Sequence, residues 1–180
     1  MSSFLVRELC TGYGENPVLD HLTFSVDSGR LTGVLGANGS GKTTLLRSIC
    51  GILPHRGECL LDGVRLEGLR ARRLSQLCSY IPQRSGVTID ISALDVVLMG
   101  FNPQLGLLEH PTAAMKQQAY AALERAGVGH LAHSNYMHLS EGQKQLCILA
   151  RTLVTQGRLL LLDEPESALD ISLVPLPVTG

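Results

Sequence analysis

Gly36-Ala37-Asn38-Gly39-Ser40-Gly41-Lys42-Thr43 is a run of small residues that ends in a cation and a hydroxyl. It fits the pattern G-x-x-x-x-G-K-[ST]. The chemistry open to such a run is the gripping of a phosphate chain. Glycines let consecutive backbone N–H groups turn toward one anion, and a helix that starts where the run ends adds partial positive charge. Lys42 would reach the outer phosphates and the Thr43 hydroxyl would hold Mg²⁺. A chance match in a glycine-rich turn is the other reading. The flanks oppose it, because residues 31–35 are strand-like and residues 43–50 are helix-like.

A second group is Leu159-Leu160-Leu161-Leu162-Asp163-Glu164-Pro165. Four leucines drive a short strand into a core and leave two carboxylates at its C-terminal end, where ligands sit in an open α/β sheet. Adjacent acids there are costly without a task or a cation. Asp163 suits the outer shell of Mg²⁺, and Glu164 suits orienting or deprotonating an attacking water. A strand-end turn with solvated acids is the alternative. A third group is Leu139-Ser140-Glu141-Gly142-Gln143. Ser140 and Gln143 have capping-box spacing, so a helix begins there. The cap leaves Gly142 unexplained, since glycine weakens a first turn unless something must approach the backbone closely. A capped helix start with accessible backbone is a second place for an anion.

The elements that must position these groups alternate in character. Residues 4–9 and 22–26 read as strands around a turn-rich loop, 11–17. Asp27-Ser28-Gly29 is a hairpin-like turn that leads into the strand before the phosphate-binding run. The following helix stops near Gly51 and Pro54. Residues 58–66 alternate around Asp62-Gly63, a hairpin signal. A helix near 70–76 and a strand over 78–81 follow, the strand ended by Pro82 and followed by Gln83. Helices are expected over 92–99, 113–126 and 141–154, and a buried strand over 158–162. The chain therefore reads as an α/β P-loop core with an N-terminal antiparallel β region and a helical subdomain. The expected divisions are 1–83, first part of the core; 84–150, helical subdomain; 151–170, core with the acidic strand; and 171–180, an atypical tail.

Composition narrows the function classes. The 180 residues carry 44% apolar and 17% charged side chains, values of a globular protein, and a net charge of −1. No global field draws nucleic acid or an anionic membrane, so phosphate binding must be local. Arg70, Arg72 and Arg73 read as a solvated helix face. The five cysteines form no C-x-x-C pair and read as reduced, mostly packed thiols. The six histidines are scattered; His130 and His133 could share a helix face, but no cysteine or carboxylate set completes a metal site, and surface histidines are the expectation. There is no signal-peptide pattern and no apolar run of about 18 residues, so the expectation is a soluble protein without direct membrane insertion.

Taken in order and spacing, Gly36 to Thr43, Gln83, Leu139 to Gln143, Leu159 to Glu164 and Ser167-Ala168-Leu169-Asp170 resemble the ATP-binding subunits of ABC transporters. The resemblance runs from residue 1 to about residue 170. It implies ATP and Mg²⁺ as ligands, with Gly36, Asn38, Gly39, Ser40, Gly41, Lys42, Thr43 and Thr44 around the phosphates. Thr43, Gln83 and Asp163 would serve the metal, and Glu164, Gln83 and Lys42 the hydrolysis. Tyr13 matches the aromatic that stacks on adenine. Ser140, Gly142 and Gln143 match the signature that caps ATP bound to a partner subunit, and Asp170 matches a loop aspartate that crosses the dimer interface. Such proteins form head-to-tail dimers, sit at the inner face of the membrane through transmembrane permease subunits, and bind no nucleic acid. The segments 96–101, 107–111 and 139–151 are similar to those of metal-chelate importers, which handle ferric siderophores, haem or cobalamin.

The sequence departs from that pattern in places. Glu141 stands where glycine is frequent, and Glu166 where threonine is. All six histidines precede the acidic strand, His138 being the last, so the family's switch histidine is not among them. The strand that leads to it is also missing, and residues 171–180 look unrelated to the family. A remnant that binds nucleotide without turnover, or does not fold, is therefore one alternative. A soluble ABC ATPase with no tie to transport is another.

Overall fold

The computed structural model describes residues 3–82, 89–106, 108–155 and 157–163. They fall into two compact units that divide between Cys78 and Ser79.

The first unit is built on a four-stranded antiparallel sheet of order β2-β1-β3-β4. Strand β1 (Ser3–Tyr13) and strand β2 (Asn16–Asp27) are longer than expected. The turn-rich stretch is folded into the hairpin itself, with Tyr13 paired to Asn16 across Gly14-Glu15. Strand β3 (Arg56–Leu61) and strand β4 (Val64–Arg65) close around Asp62 at φ 51° and Gly63 at φ 77°. Both central residues of that two-residue turn thus have positive φ, as its Asp-Gly sequence demands. Helix α1 (Lys42–Ile49) contacts β1 and β2. Phe4, Val6, Leu9, Leu45, Ile49, Cys59 and Leu61 are buried in this unit. Helix α2 (Ala71–Leu77) follows and keeps Arg72 and Arg73 exposed, as does Arg70 before it.

Between β1 and β3 the register slips from Arg7↔Glu58 to Cys10↔Arg56, which leaves one extra residue in β1. Gly57 sits opposite that bulge at φ 97°. A Cβ there would lie 2.4 Å from the Glu8 carbonyl oxygen and 2.5 Å from that of Arg7. Only glycine fits.

Residues 31–35 do not form the expected strand. Leu31 is 63%, Val34 47% and Leu35 95% exposed. A strand exists through its ladder partners, and among the described residues neither sheet takes in this segment. Its apolar composition alone does not supply a partner.

In the second unit, β5 (Cys78–Ile81) pairs with β6 (Leu159–Leu162). Only Leu161 of β6 is buried, and its three neighbours are half-buried, short of the full coverage its leucines suggested. Helices α3 (Ala93–Leu98), α4 (Ala113–Arg125) and α5 (Glu141–Thr155) pack together. Their core holds Val96, Val97, Phe101, Leu123, Tyr136, Cys147 and Leu149. Ser92 and Asp95 form a capping box on α3, and Thr112 caps α4 by accepting from the Met115 N–H at 3.2 Å.

Candidate functional site

The phosphate-type loop lies in the first unit. Gly39 at φ 80° and Gly41 at φ 92° curl it so that Gly41 delivers the chain into α1. The Ser40 N–H donates to the Ala37 carbonyl at 3.1 Å and the Leu45 N–H to Gly41 at 2.8 Å. The Lys42 ammonium donates to the carbonyl oxygens of Gly36 at 2.8 Å and Ala37 at 3.0 Å. It thus lies over the mouth of its own loop. No side chain caps α1, and no acid lies in its first turn. Gly36, Asn38, Gly39 and Ser40 are exposed, Thr43 is half-buried and Thr44 is buried. An uncapped helix start with a cation over it favours anions through backbone donors and the helix dipole.

Val18 and Leu19 of β2 seat this loop. A Cβ on Gly41 would meet Leu19 Cδ2 at 2.9 Å and Val18 Cγ1 at 3.0 Å. Leu19 also lines a shallow depression of about 760 Å³, together with Tyr13, Pro17, Asp20 and Arg56. Tyr13 is 48% exposed on this wall. Beside it, the His21 ring lies 2.7 Å from Glu8 Oε2. That hydrogen bond, with Asp20 adding to it, holds the imidazole above its usual range, and the same bond together with one from the Thr23 hydroxyl holds Glu8 below its own.

The second unit holds the other two groups. Asp163 is only 4% exposed, so it is not the solvated turn acid of the alternative reading. Its N–H donates to the Ile81 carbonyl at 3.0 Å, and its Oδ2 accepts from the Tyr80 hydroxyl at 2.9 Å. Ser140 and Gln143 form the expected reciprocal cap. The Ser140 N–H donates to Gln143 Oε1 at 2.9 Å, and the Gln143 N–H to Ser140 Oγ at 3.3 Å. Gly142 lies half-buried in the first turn, where Glu141 pairs with Lys144 at 2.9 Å. Gln83, Glu164 and Asp170 lie outside the described residues.

The sequence profile of the ABC transporter family matches residues 19–167, most of the chain. The chain belongs to the ABC transporter family. It is 39% identical over 168 residues to a probable iron chelatin transport ATP-binding protein of Helicobacter pylori, an alignment covering 92% of this chain and 66% of that protein. It is 37% identical to the hemin import ATP-binding protein HmuV of Vibrio cholerae, covering 92% of this chain and 64% of that one. The chain thus spans about two thirds of the length of these relatives. A nucleotide-free ATP-binding cassette from an ABC transporter superposes with a TM-score of 0.81 at 25% identity, over 96% of this chain and 73% of that one. This ABC family fold is the one expected from the sequence.

Sequence reasoning missed Tyr80, because its partner lies 83 residues away and only the β5–β6 pairing brings them together. It also missed two groups of donor atoms around histidines, His55-Cys59-Glu67 and Cys10-Asp20-His21. The H-x-x-x-C spacing of His55 and Cys59 was the available signal.

Proposed function

We propose that the chain binds ATP and belongs to an ATP-hydrolysing subunit that energises import of a metal chelate, a ferric siderophore-like or haem-like cargo. The observation that carries the reading is the uncapped, acid-free start of α1, entered through Gly41 and overlain by Lys42. The cargo class rests on the relatives that transport iron chelatin and hemin. Such a subunit works as a head-to-tail homodimer on transmembrane permease subunits. Among the described residues no helix is long and apolar enough to cross a membrane.

Lys42 holds the outer phosphates by exchanging its two carbonyl bonds for phosphate oxygens, which are charged and therefore stronger acceptors. Tyr13 offers its exposed ring to the base. Thr43, Gln83 and Asp163 would hold Mg²⁺, and their oxygen donors suit that hard cation. Tyr80 fixes the Asp163 carboxylate in a single orientation. Mg²⁺, when bound, supplies charge neutralisation at the terminal phosphates. Glu164 orients the attacking water and takes its proton. Ser140, Gly142 and Gln143 meet the nucleotide held by the other copy.

Equilibrium dialysis with a non-hydrolysable ATP analogue tests the reading. Lys42→Ala removes a charged donor worth about 1.5–3 kcal/mol, so affinity falls about 10- to 150-fold. Unchanged retention in a variant with an unchanged circular dichroism melt would refute nucleotide binding. Retention that falls as expected, with no phosphate release that Glu164→Gln abolishes, would remove the hydrolytic half and keep the binding half.

A further inference from the structure

Away from the loop, the first unit carries a cluster that nucleotide binding does not use. His55, which precedes β3, directs Nε2 to Glu67 Oε1 at 2.9 Å, and Cys59 Sγ lies 3.8 Å from the same nitrogen. The three donor atoms all lie within 4.8 Å of one another. Glu67 is anchored on both sides. Its Oε1 accepts from the Cys59 N–H at 2.6 Å, and its Oε2 from Arg65 Nε at 3.3 Å. Arg65 is itself held by Glu58 at 3.2 Å. The His55 and Glu67 side chains are 7% and 20% exposed, and Cys59 is fully buried.

We infer that His55, Cys59 and Glu67 form a binding site for a borderline divalent transition metal of the Zn²⁺ type, distinct from the Mg²⁺ position. One nitrogen, one sulfur and one oxygen is a donor set that Zn²⁺ accepts. Tetrahedral bonds of about 2.0–2.3 Å put such donors about 3.3–3.6 Å apart. The observed 3.8 and 2.9 Å lie on either side of that spacing, so small side-chain shifts admit the ion. On binding, the Cys59 thiol proton leaves to solvent, and His55 carries its proton on Nδ1 so that Nε2 is free to coordinate. Thiolate and carboxylate then balance the two charges of the metal. Arg65 acts as the outer partner that orients Glu67. His55 also lines the depression that holds Tyr13. The other donor group is less built. Asp20 is 82% and His21 68% exposed, and the His21 ring is already engaged by Glu8.

The test titrates the full chain with Co²⁺ as a spectroscopic stand-in and with Zn²⁺ in thermal melts. The expected result is a thiolate-to-cobalt charge-transfer band and a Tm that rises with Zn²⁺. Cys59→Ser abolishes the band, His55→Gln weakens binding at least about tenfold, and Arg65→Gln weakens it about 10- to 100-fold. Cys10→Ser leaves the band intact. A band that survives in Cys59→Ser or vanishes in Cys10→Ser overturns the assignment. Zinc-edge X-ray absorption on the unmodified chain gives an answer that needs no variant to fold. One sulfur with nitrogen and oxygen neighbours is expected, and a sulfur-free shell or no retained metal overturns the site.

Discussion

Ser140 caps a helix, and under the proposed function it also meets the nucleotide of another copy; one substitution pair tells the two roles apart. As a cap it accepts from the Gln143 N–H at 3.3 Å, a long bond on an exposed residue. Its loss in Ser140→Ala belongs at the low end of the capping range, about 0.5–1 kcal/mol. That lowers Tm by about 1–4 °C in a chain of this size. Ser140→Asp keeps a capping oxygen and adds a charge that the helix start favours, so its Tm stays at or above the native value. Under the proposed function, nucleotide bound by another copy would meet that new charge. Two unit charges about 4 Å apart repel by about 1 kcal/mol in water and about 4 kcal/mol near a protein surface. ATP-dependent dimerisation is therefore expected to weaken about fivefold to a thousandfold. Sedimentation of the full chain with saturating ATP, in a Glu164→Gln background to prevent turnover, measures it. If Ser140→Asp is as stable as expected and still dimerises like the parent, Ser140 is only a cap and the signature reading fails.

Gly57→Ala places a methyl 2.4–2.5 Å from two backbone carbonyls at a φ of 97°. Left-handed strain and overpacking together cost about 2–4 kcal/mol, seen as a lower urea midpoint; a midpoint within experimental scatter of the parent would contradict the bulge argument. Tyr80→Phe removes the 2.9 Å hydrogen bond to a buried carboxylate and is expected to cost about 1–3 kcal/mol. A double-mutant cycle with Asp163→Asn should return a coupling above about 0.5 kcal/mol, and zero coupling would show that the bond carries no weight. Burial pushes the Cys50 thiol up to about 12 and those of Cys78 and Cys147 to about 11. The folded state therefore keeps protons that the unfolded state loses above about pH 8.5, and stability falls as pH rises, by at most about 1.4 kcal/mol per pH unit for each thiol. Urea midpoints flat from pH 8 to about pH 10.5 would count against burial of these thiols.

How legible each part was depended on how local its cause is. The start of α5 was readable because a cap is a short-range matter: Ser140 and Gln143 stand at capping-box spacing. The Asp62-Gly63 turn was readable for the same reason. The strand over 31–35 was misread because its apolar residues announce a strand, while a ladder needs partners that local sequence does not name. The bulge in β1 left a trace only in Gly57, one glycine among 19. Asp163 was read as an acid with a task, but its burial and its bond to Tyr80 came from strand pairing across 83 residues.

The two helix starts that could face phosphate are not equivalent, and the difference orders their use. At α1 no side chain caps the backbone and no acid stands in the first turn. Lys42, now donating to the carbonyls of Gly36 and Ala37, brings a positive charge that helps the anion once it has swung across. At α5 two donors near the start already have side-chain partners, and Glu141 puts a negative charge in the first turn, partly offset by Lys144. A phosphate arriving there displaces hydrogen bonds that exist and approaches an acid. Under the proposed function, binding at α1 is expected to be the stronger, earlier step, and engagement of α5 the weaker one, dependent on nucleotide already held by the other copy. Glu141→Gly should narrow that gap, raising ATP-dependent dimerisation without changing the affinity of a monomer for ATP. A rise in monomer affinity instead would place α5, not α1, at the primary nucleotide site.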